Sequence, residues 1–137
     1  VDAMVILGNG NVGIGTTAPT NILTVVQNSA TDPIADAWTV YSSRRWKTNI
    51  RPIENALDKV MKLNGVYFNW KETGKQDRGM IAEDVGKVIP EVVEYEENKE
   101  DAKSLDYARL VALLVEAIKE QQKEIEELKA KLKALQK

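Results

Sequence analysis

A seven-residue repeat of apolar residues in the last quarter of the chain restricts its fold more than any other feature. Between residues 105 and 137 one series recurs at every seventh position: Val111, Ile118, Ile125 and Leu132. A second series fills the fourth position of the same heptads: Tyr107, Leu114, Gln121, Leu128 and Leu135. This spacing puts both series on one side of an α-helix and indicates a coiled coil. The chain therefore needs partner helices, which we expect to be identical copies in register.

The heptads leave the number of helices open. Isoleucine at the first position with leucine at the fourth favours a coiled coil of two helices. A polar residue such as Gln121 can fix the register of the helices or simply be tolerated. Glu124 and Lys129 lie at positions where they can pair between parallel neighbours. Both a dimer and a trimer agree with this pattern.

Two segments of different character precede the heptads. Residues 1–41 form the first, a β-rich stretch whose apolar runs at 5–7, 12–14 and 22–26 are separated by turns. Asn9-Gly10 suits a hairpin turn. Because this stretch has few apolar residues to bury, we expect it to gain stability by packing against copies of itself.

Residues 42–104 predict a compact α+β unit. Amphipathic spacing indicates helices over 53–63 and 82–89, and β-branched and aromatic runs indicate strands at 66–70 and 92–95. We interpret 71–79 as a polar turn, with a strand continuing at 80–82. The predicted fold class is thus α+β: a short β-rich fibre segment, a small mixed unit and a long coiled-coil helix from 105 to 137.

Composition excludes several kinds of chemistry. The chain contains no histidine and no cysteine, so a Ser-His-Asp triad, disulfides and thiolate metal sites are ruled out. The net charge of −2 gives no general attraction to nucleic acid or to an anionic membrane, and we expect neither as a partner. We also expect no metal and no cofactor. The sequence begins at Val1 rather than Met, which suggests a fragment from the C-terminal part of a longer protein.

One glycine motif in the β-rich stretch has two possible interpretations, a nucleotide-binding loop or turns between strands. Gly8, Gly10 and Gly13 match the spacing of a dinucleotide-binding fingerprint. That fingerprint needs a helix directly after the glycines to present its N-terminus to a pyrophosphate. Here a turn sequence with Pro19 follows. We therefore interpret the glycines as turns between short strands.

A serine stands five residues before a lysine where the β-rich stretch ends: Ser42 and Lys47. Ser/Lys pairs perform nucleophilic chemistry without histidine. Such a pair has little weight alone, because both residue types are common. Its weight comes from the sequence that surrounds it.

Several stretches together resemble a known family. Residues 10–19 read Gly-Asn-Val-Gly-Ile-Gly-Thr-Thr-Ala-Pro, and residues 41–50 read Tyr-Ser-Ser-Arg-Arg-Trp-Lys-Thr-Asn-Ile. Residues 79–85 read Gly-Met-Ile-Ala-Glu-Asp-Val, and residues 89–93 read Ile-Pro-Glu-Val-Val, with the heptad helix beyond. This arrangement resembles the C-terminal intramolecular chaperone domain of phage tail spikes and tail fibres, which is also found in myelin regulatory factor.

The resemblance implies a self-cleaving serine peptidase that works as a homotrimer. The family's Ser-x-x-x-x-Lys motif falls on Ser42 and Lys47, so the bond cut would be Tyr41–Ser42. The chaperone is expected to hold three chains in register while the upstream fibre or spike domain folds, and then to cut itself away. The resemblance thus implies a phage virion tail fibre precursor that assembles in the host cytoplasm.

The implied chemistry identifies further candidate residues. Lys47 can act as the base only when its amine is neutral, which burial or nearby cations favour, and Arg44 and Arg45 lie close in sequence. Glu83, in the 79–85 stretch, is a polar candidate neighbour of the Ser/Lys pair. Ser43 stands where the family commonly has aspartate and is a second candidate nucleophile, although the spacing to the lysine favours Ser42.

Two other functions agree with the same sequence. The domain could be retained uncleaved, as a permanent trimerisation cap of a fibre or adhesin. Alternatively, the chain could be an unrelated coiled-coil adhesin or adaptor stalk, in which Ser42 and Lys47 are ordinary surface residues. A self-cleavage assay separates the first of these from the chaperone.

Overall fold

The computed structural model describes residues 3–26 and 33–136, which separate into two compact units. The first unit contains the chain up to Ser43 together with Lys71–Gly74. Arg44–Trp70 and the chain from Lys75 onward form the second. The overall class is mixed α and β, with small sheets and one long C-terminal helix.

In the described part of the first unit, three strands form a sheet: β1 at Met4–Ile6, β2 at Val12–Ile14 and β3 at Leu23–Val25. β1 and β2 form an antiparallel hairpin, and β3 lies parallel to β2. Gly10 sits in the hairpin turn with a φ of 88°, a left-handed conformation that glycine adopts readily. The predicted strands and hairpin are confirmed. No helix follows the glycines in residues 15–22, so the dinucleotide-binding fingerprint lacks the element it requires.

The second unit alternates short helices with two-stranded sheets and ends in a long helix. Its helical elements are the 3₁₀ turns η1 (Arg44–Trp46) and η2 (Pro90–Val92) and the α-helices α1 (Ala56–Met61), α2 (Ala82–Gly86) and α3 (Tyr107–Leu135). β4 (Val66–Asn69) pairs with β5 (Gln76–Gly79), and β6 (Val93–Tyr95) pairs with β7 (Ala102–Leu105), both antiparallel.

The first half of α3 forms the floor of the core in this unit. Leu113 and Ala117 pack against Ala56 at the start of α1. One turn earlier, Leu110 packs against Val85 of α2 and Val92 of η2. The Asp106 side chain caps α3 by accepting a hydrogen bond from the backbone N–H of Arg109 at 3.3 Å. Among the described residues, none of the helices combines the length and apolar character needed to cross a membrane.

The helix predicted over 53–63 is shorter than its apolar spacing indicates. It begins at Ala56 because Asn55 has the left-handed conformation, with φ 55° and ψ 41°. That conformation cannot continue a right-handed helix backwards towards Pro52. The helix predicted over 82–89 likewise ends early, at Gly86, where the hydroxyl of Tyr95 occupies the space a Cβ would need.

Two strands differ from the sequence prediction. β5 lies at Gln76–Gly79, inside the stretch interpreted as a polar turn, while the strand expected at 80–82 does not form. β7 at Ala102–Leu105 was not predicted at all. β5 (sequence QDRG) is mostly exposed, whereas the two ends of β7 (sequence AKSL) are partly buried and Leu105 packs against the core. Both strands are held in place by hydrogen bonds to a neighbouring strand. Neither sequence alternates apolar and polar residues, so hydrophobic periodicity does not reveal them.

Candidate functional site

The residues that the sequence singled out fall at the end of one unit and the start of the next. Tyr41, Ser42 and Ser43 close the first unit's main segment, and Arg44 opens the second. All residues from 41 to 50 are exposed in the single chain, and the Tyr41 side chain is 85% exposed. Neither the proposed nucleophile nor the proposed base is therefore desolvated by this chain alone.

The three residues before Lys47 form a compact turn. η1 spans Arg44–Trp46 and is closed by a 3.0 Å hydrogen bond from the Lys47 backbone N–H to the Arg44 carbonyl. The guanidinium carbon of Arg45 lies 4.3 Å from the centre of the Trp46 ring, within cation–π range. The two arginines therefore differ: Arg45 is stacked on its neighbour, whereas Arg44 supplies the carbonyl that closes the turn.

The chain beyond Lys47 leads to an unusual helix cap. Asn49 and Asn55 both have positive φ, and the Asn55 side chain makes no capping hydrogen bond to α1. Instead, the carboxylate of Glu120 on α3 accepts hydrogen bonds from the backbone N–H groups of Leu57 at 2.7 Å and Ala56 at 3.0 Å. These bonds, first from Leu57 and then from Ala56, hold the pKa of Glu120 below its ordinary value.

The 79–85 stretch is organised around a tyrosine hydroxyl. The Tyr107 hydroxyl accepts a 2.8 Å hydrogen bond from the Met80 backbone N–H. A Cβ on Gly79 would lie 2.6 Å from that oxygen, so glycine is what admits the phenol here. Val85 is the most deeply buried large side chain of α2, whereas Glu83 lies exposed in the first turn of this helix. The stretch is thus mainly structural within its own unit.

The heptad residues of α3 form an exposed stripe. The buried residues of the helix are Leu110, Leu113 and Ala117, while the side chains at the heptad positions stay open to solvent, with Ile118 63% exposed. The two faces are offset by roughly a quarter of a turn. Every described residue from 121 to 136 is exposed. α3 therefore carries a second apolar face that the chain's own core does not use.

Two structural contacts of the second unit are not apparent from the sequence. Glu120 reaches across 63 positions to cap α1, and no local capping motif marks such a tertiary cap. The position of Tyr107 in the heptads predicted an interhelical role, whereas its hydroxyl serves the 79–85 stretch. A polar tip on an otherwise apolar heptad position was the available signal.

Comparison with known proteins bears on this part of the chain. Residues 42–94 match the model of a family that is named as a peptidase and described as chaperone of endosialidase. The matched range begins at Ser42 and includes Lys47, the 79–85 stretch and both 3₁₀ turns.

Curated relatives are similar over a longer range. The long tail fiber protein Gp37 of Enterobacteria phage K3 is 39% identical over 100 residues, which cover 68% of this chain and 8% of that protein. The same protein of Enterobacteria phage T2 gives the same values. Gp37 of Salmonella phage S16 is 35% identical over 105 residues, 70% of this chain and 14% of that protein. The chain thus spans only a small part of these relatives.

Proposed function

We propose that the chain is a trimerising chaperone that releases itself by autoproteolysis. Residues 42–94 form a phage tail fibre chaperone domain of the chaperone-of-endosialidase family, and this domain is the basis of the proposal. Three copies associate through α3, hold the upstream fibre segments in register and then cut the Tyr41–Ser42 bond. Cleavage takes place in a tail fibre precursor within the host cytoplasm. The cleaved fibre joins the virion, and the chaperone is left behind.

The exposed heptad stripe of α3 is the observation that carries the proposal. Because Leu110, Leu113 and Ala117 already fill the chain's own core, the stripe is left for other chains. Burying apolar side chains is the main driving force of association. Parallel copies would also bring Glu124 and Lys129 of neighbouring helices within pairing range. The choice of three copies follows from the family resemblance, since the heptads agree equally with two.

The β-rich segment supports the same assembly. Several of its apolar side chains are exposed in the single chain: Met4, Ile6, Ile22 and Leu23. A three-stranded sheet with so little buried area has little stability of its own. If the chaperone holds three chains in register, their β-rich segments can bury these side chains against each other. Once the chaperone is removed, unfolding becomes slow, because the element that promoted assembly is gone.

The proposed cleavage proceeds in two balanced steps. Ser42 Oγ attacks the carbonyl carbon of Tyr41, Lys47 accepts the hydroxyl proton, and the C–N bond breaks as that proton passes to the amine of Ser42. The product is an ester between the Tyr41 carboxyl and the Ser42 side chain. Water then hydrolyses the ester and gives a free Tyr41 carboxylate and a new N-terminus at Ser42.

We expect cleavage to depend on assembly. A lysine amine in water carries a proton at neutral pH, and burial or nearby cations are required to favour the neutral form. Ser42 and Lys47 are both exposed in the single chain. We therefore expect neighbouring chains to supply the missing desolvation, so that only correctly assembled molecules cut themselves. Arg44 and Glu83 remain candidate contributors from the same domain.

Time-resolved gel electrophoresis tests the proposal. The full chain is refolded from denaturant, sampled over time and run on a denaturing gel, with sedimentation analysis of the refolded species. We expect a trimer that yields fragments 1–41 and 42–137. Ser42→Ala and Lys47→Ala should abolish cleavage without dissociating the trimer, while Ser43→Ala should retain it. A verified trimer that stays intact would disprove the autoproteolysis, and a stable monomer would disprove the assembly.

A permanent trimerisation cap is the second candidate. It is favoured by Ser43, which stands where the family commonly has aspartate next to the nucleophile. In this case α3 would still trimerise the fibre, and Ser42→Ala would change nothing in assembly, stability or chain length. The same gel and sedimentation series separates it from the self-releasing chaperone.

A further inference from the structure

We propose that Arg45 and Trp46 form a positioning pair that holds the backbone at Lys47 in the conformation required for self-cleavage. The inference rests on the proposed function, since it assigns a role within that reaction. Arg45 is given no contact with the reacting atoms. It acts through Trp46 and the turn that ends at the lysine.

The geometry of η1 carries the proposal. The guanidinium of Arg45 lies over the Trp46 ring at 4.3 Å from its centre, and the Lys47 backbone N–H is bonded to the Arg44 carbonyl at 3.0 Å. The stack and the hydrogen bond thus act on the same short turn. Together they fix the backbone of the residues that directly precede the lysine.

Burial contributes little to the order of this turn. None of the residues in η1 is buried, and Trp46 is 53% exposed. Short 3₁₀ turns have poorer hydrogen-bond geometry than α-helices and depend on local support. An exposed cation–π contact supplies support of the right size, because it stabilises a pair modestly without requiring a hydrophobic core.

An arginine near a lysine base can have two roles, one electrostatic and one through stacking, and substitutions distinguish them. A purely electrostatic role depends on the positive charge and survives replacement by lysine. A stacking role depends on the planar guanidinium and on the indole face, so it is weakened by Arg45→Lys and lost in Trp46→Leu. Only the stacking role makes the two residues depend on each other.

The test measures first-order self-cleavage of the refolded full chain for Arg45→Lys, Trp46→Leu and the double variant across a pH series. We expect each single variant to slow cleavage by roughly two- to fivefold, the range of an exposed cation–π contact. The double variant should be no slower than the slower single variant. Trp46→Phe should cleave faster than Trp46→Leu but more slowly than wild type. The pH profile of cleavage in Arg45→Lys should have the same shape as that of wild type. Arg51→Ala, which removes a charge beyond the turn, is the matched control.

A second readout does not depend on cleavage. In the Ser42→Ala chain, the Arg45 side-chain protons should show upfield ring-current shifts in NMR spectra, and Trp46→Leu should remove these shifts. Additive rate losses, an unchanged rate in Arg45→Lys, or absent ring-current shifts would each overturn the positioning pair while leaving the proposed autoproteolysis intact. A wild-type trimer that does not cleave would overturn both.

Discussion

The carboxylate of Glu120 on α3 accepts a 2.7 Å hydrogen bond from the backbone N–H of Leu57 in the first turn of α1. Its other oxygen accepts from the neighbouring Ala56 N–H, so a single side chain satisfies two N–H groups that a helix start leaves unpaired. Asn55 makes no such bond with its own side chain. The long helix thereby fixes where the short helix begins.

Replacement of Glu120 should destabilise the second unit. Glu120→Gln keeps the shape but loses the charge-assisted character of both bonds, and Glu120→Ala loses both acceptors. We expect the Tm at neutral pH to fall by a few degrees in Glu120→Gln and further in Glu120→Ala. Amide hydrogen exchange at Ala56 and Leu57 should become faster. Glu116→Gln, which disrupts only an exposed pair with Lys119, is the control and should leave both quantities close to wild type.

The contribution of Glu120 should disappear in acid. Its pKa is lowered in the folded chain by the hydrogen bonds from Leu57 and Ala56, so its ionised form stabilises the fold above the pKa of the unfolded state. That stabilisation is lost as the pH falls from the ordinary pKa of a glutamate through the lower pKa of the folded chain. The Tm difference between wild type and Glu120→Gln should therefore shrink in this range. A difference that stays constant down to strong acid would contradict the assigned cap.

A methyl group at Gly79 should disturb the 79–85 stretch through one oxygen atom. The added Cβ would lie 2.6 Å from the Tyr107 hydroxyl, so we expect Gly79→Ala to lower the free energy of unfolding by about 1–3 kcal/mol. The same substitution should cost less when Tyr107 is replaced by phenylalanine, because the colliding oxygen is gone. Gly65→Ala, where nothing lies within 4 Å, is the control. Equal costs in both backgrounds, measured by denaturant unfolding, would rule out this collision as the cause.

These contacts show what can be read from the sequence and what cannot. The heptads predicted the extent of α3, and turn chemistry predicted the β1–β2 hairpin. Each of these signals comes from residues that are only a few positions apart in the sequence. The predicted start of α1 was wrong, because the helix begins only after the left-handed Asn55 and its first N–H groups bond to Glu120, which is distant in sequence. β5 and β7 escaped prediction because neither four-residue sequence, QDRG or AKSL, alternates apolar and polar residues. The reactive role of Ser42 and Lys47 stays a prediction, because the single chain does not desolvate them.

The two apolar faces of α3 should respond differently to the same kind of substitution. Leu113 is 5% exposed and packs on α1, so Leu113→Ala should lower the free energy of unfolding by about 2–5 kcal/mol through a core cavity. Ile118 is 63% exposed on the heptad stripe, so Ile118→Ala should leave the chain's own core intact and weaken self-association. Sedimentation over a concentration series, combined with denaturant unfolding, measures both effects. If Ile118→Ala left association unchanged at every concentration, the heptad stripe would not be the interface. Weaker association together with a native core would place the contact between copies on the stripe.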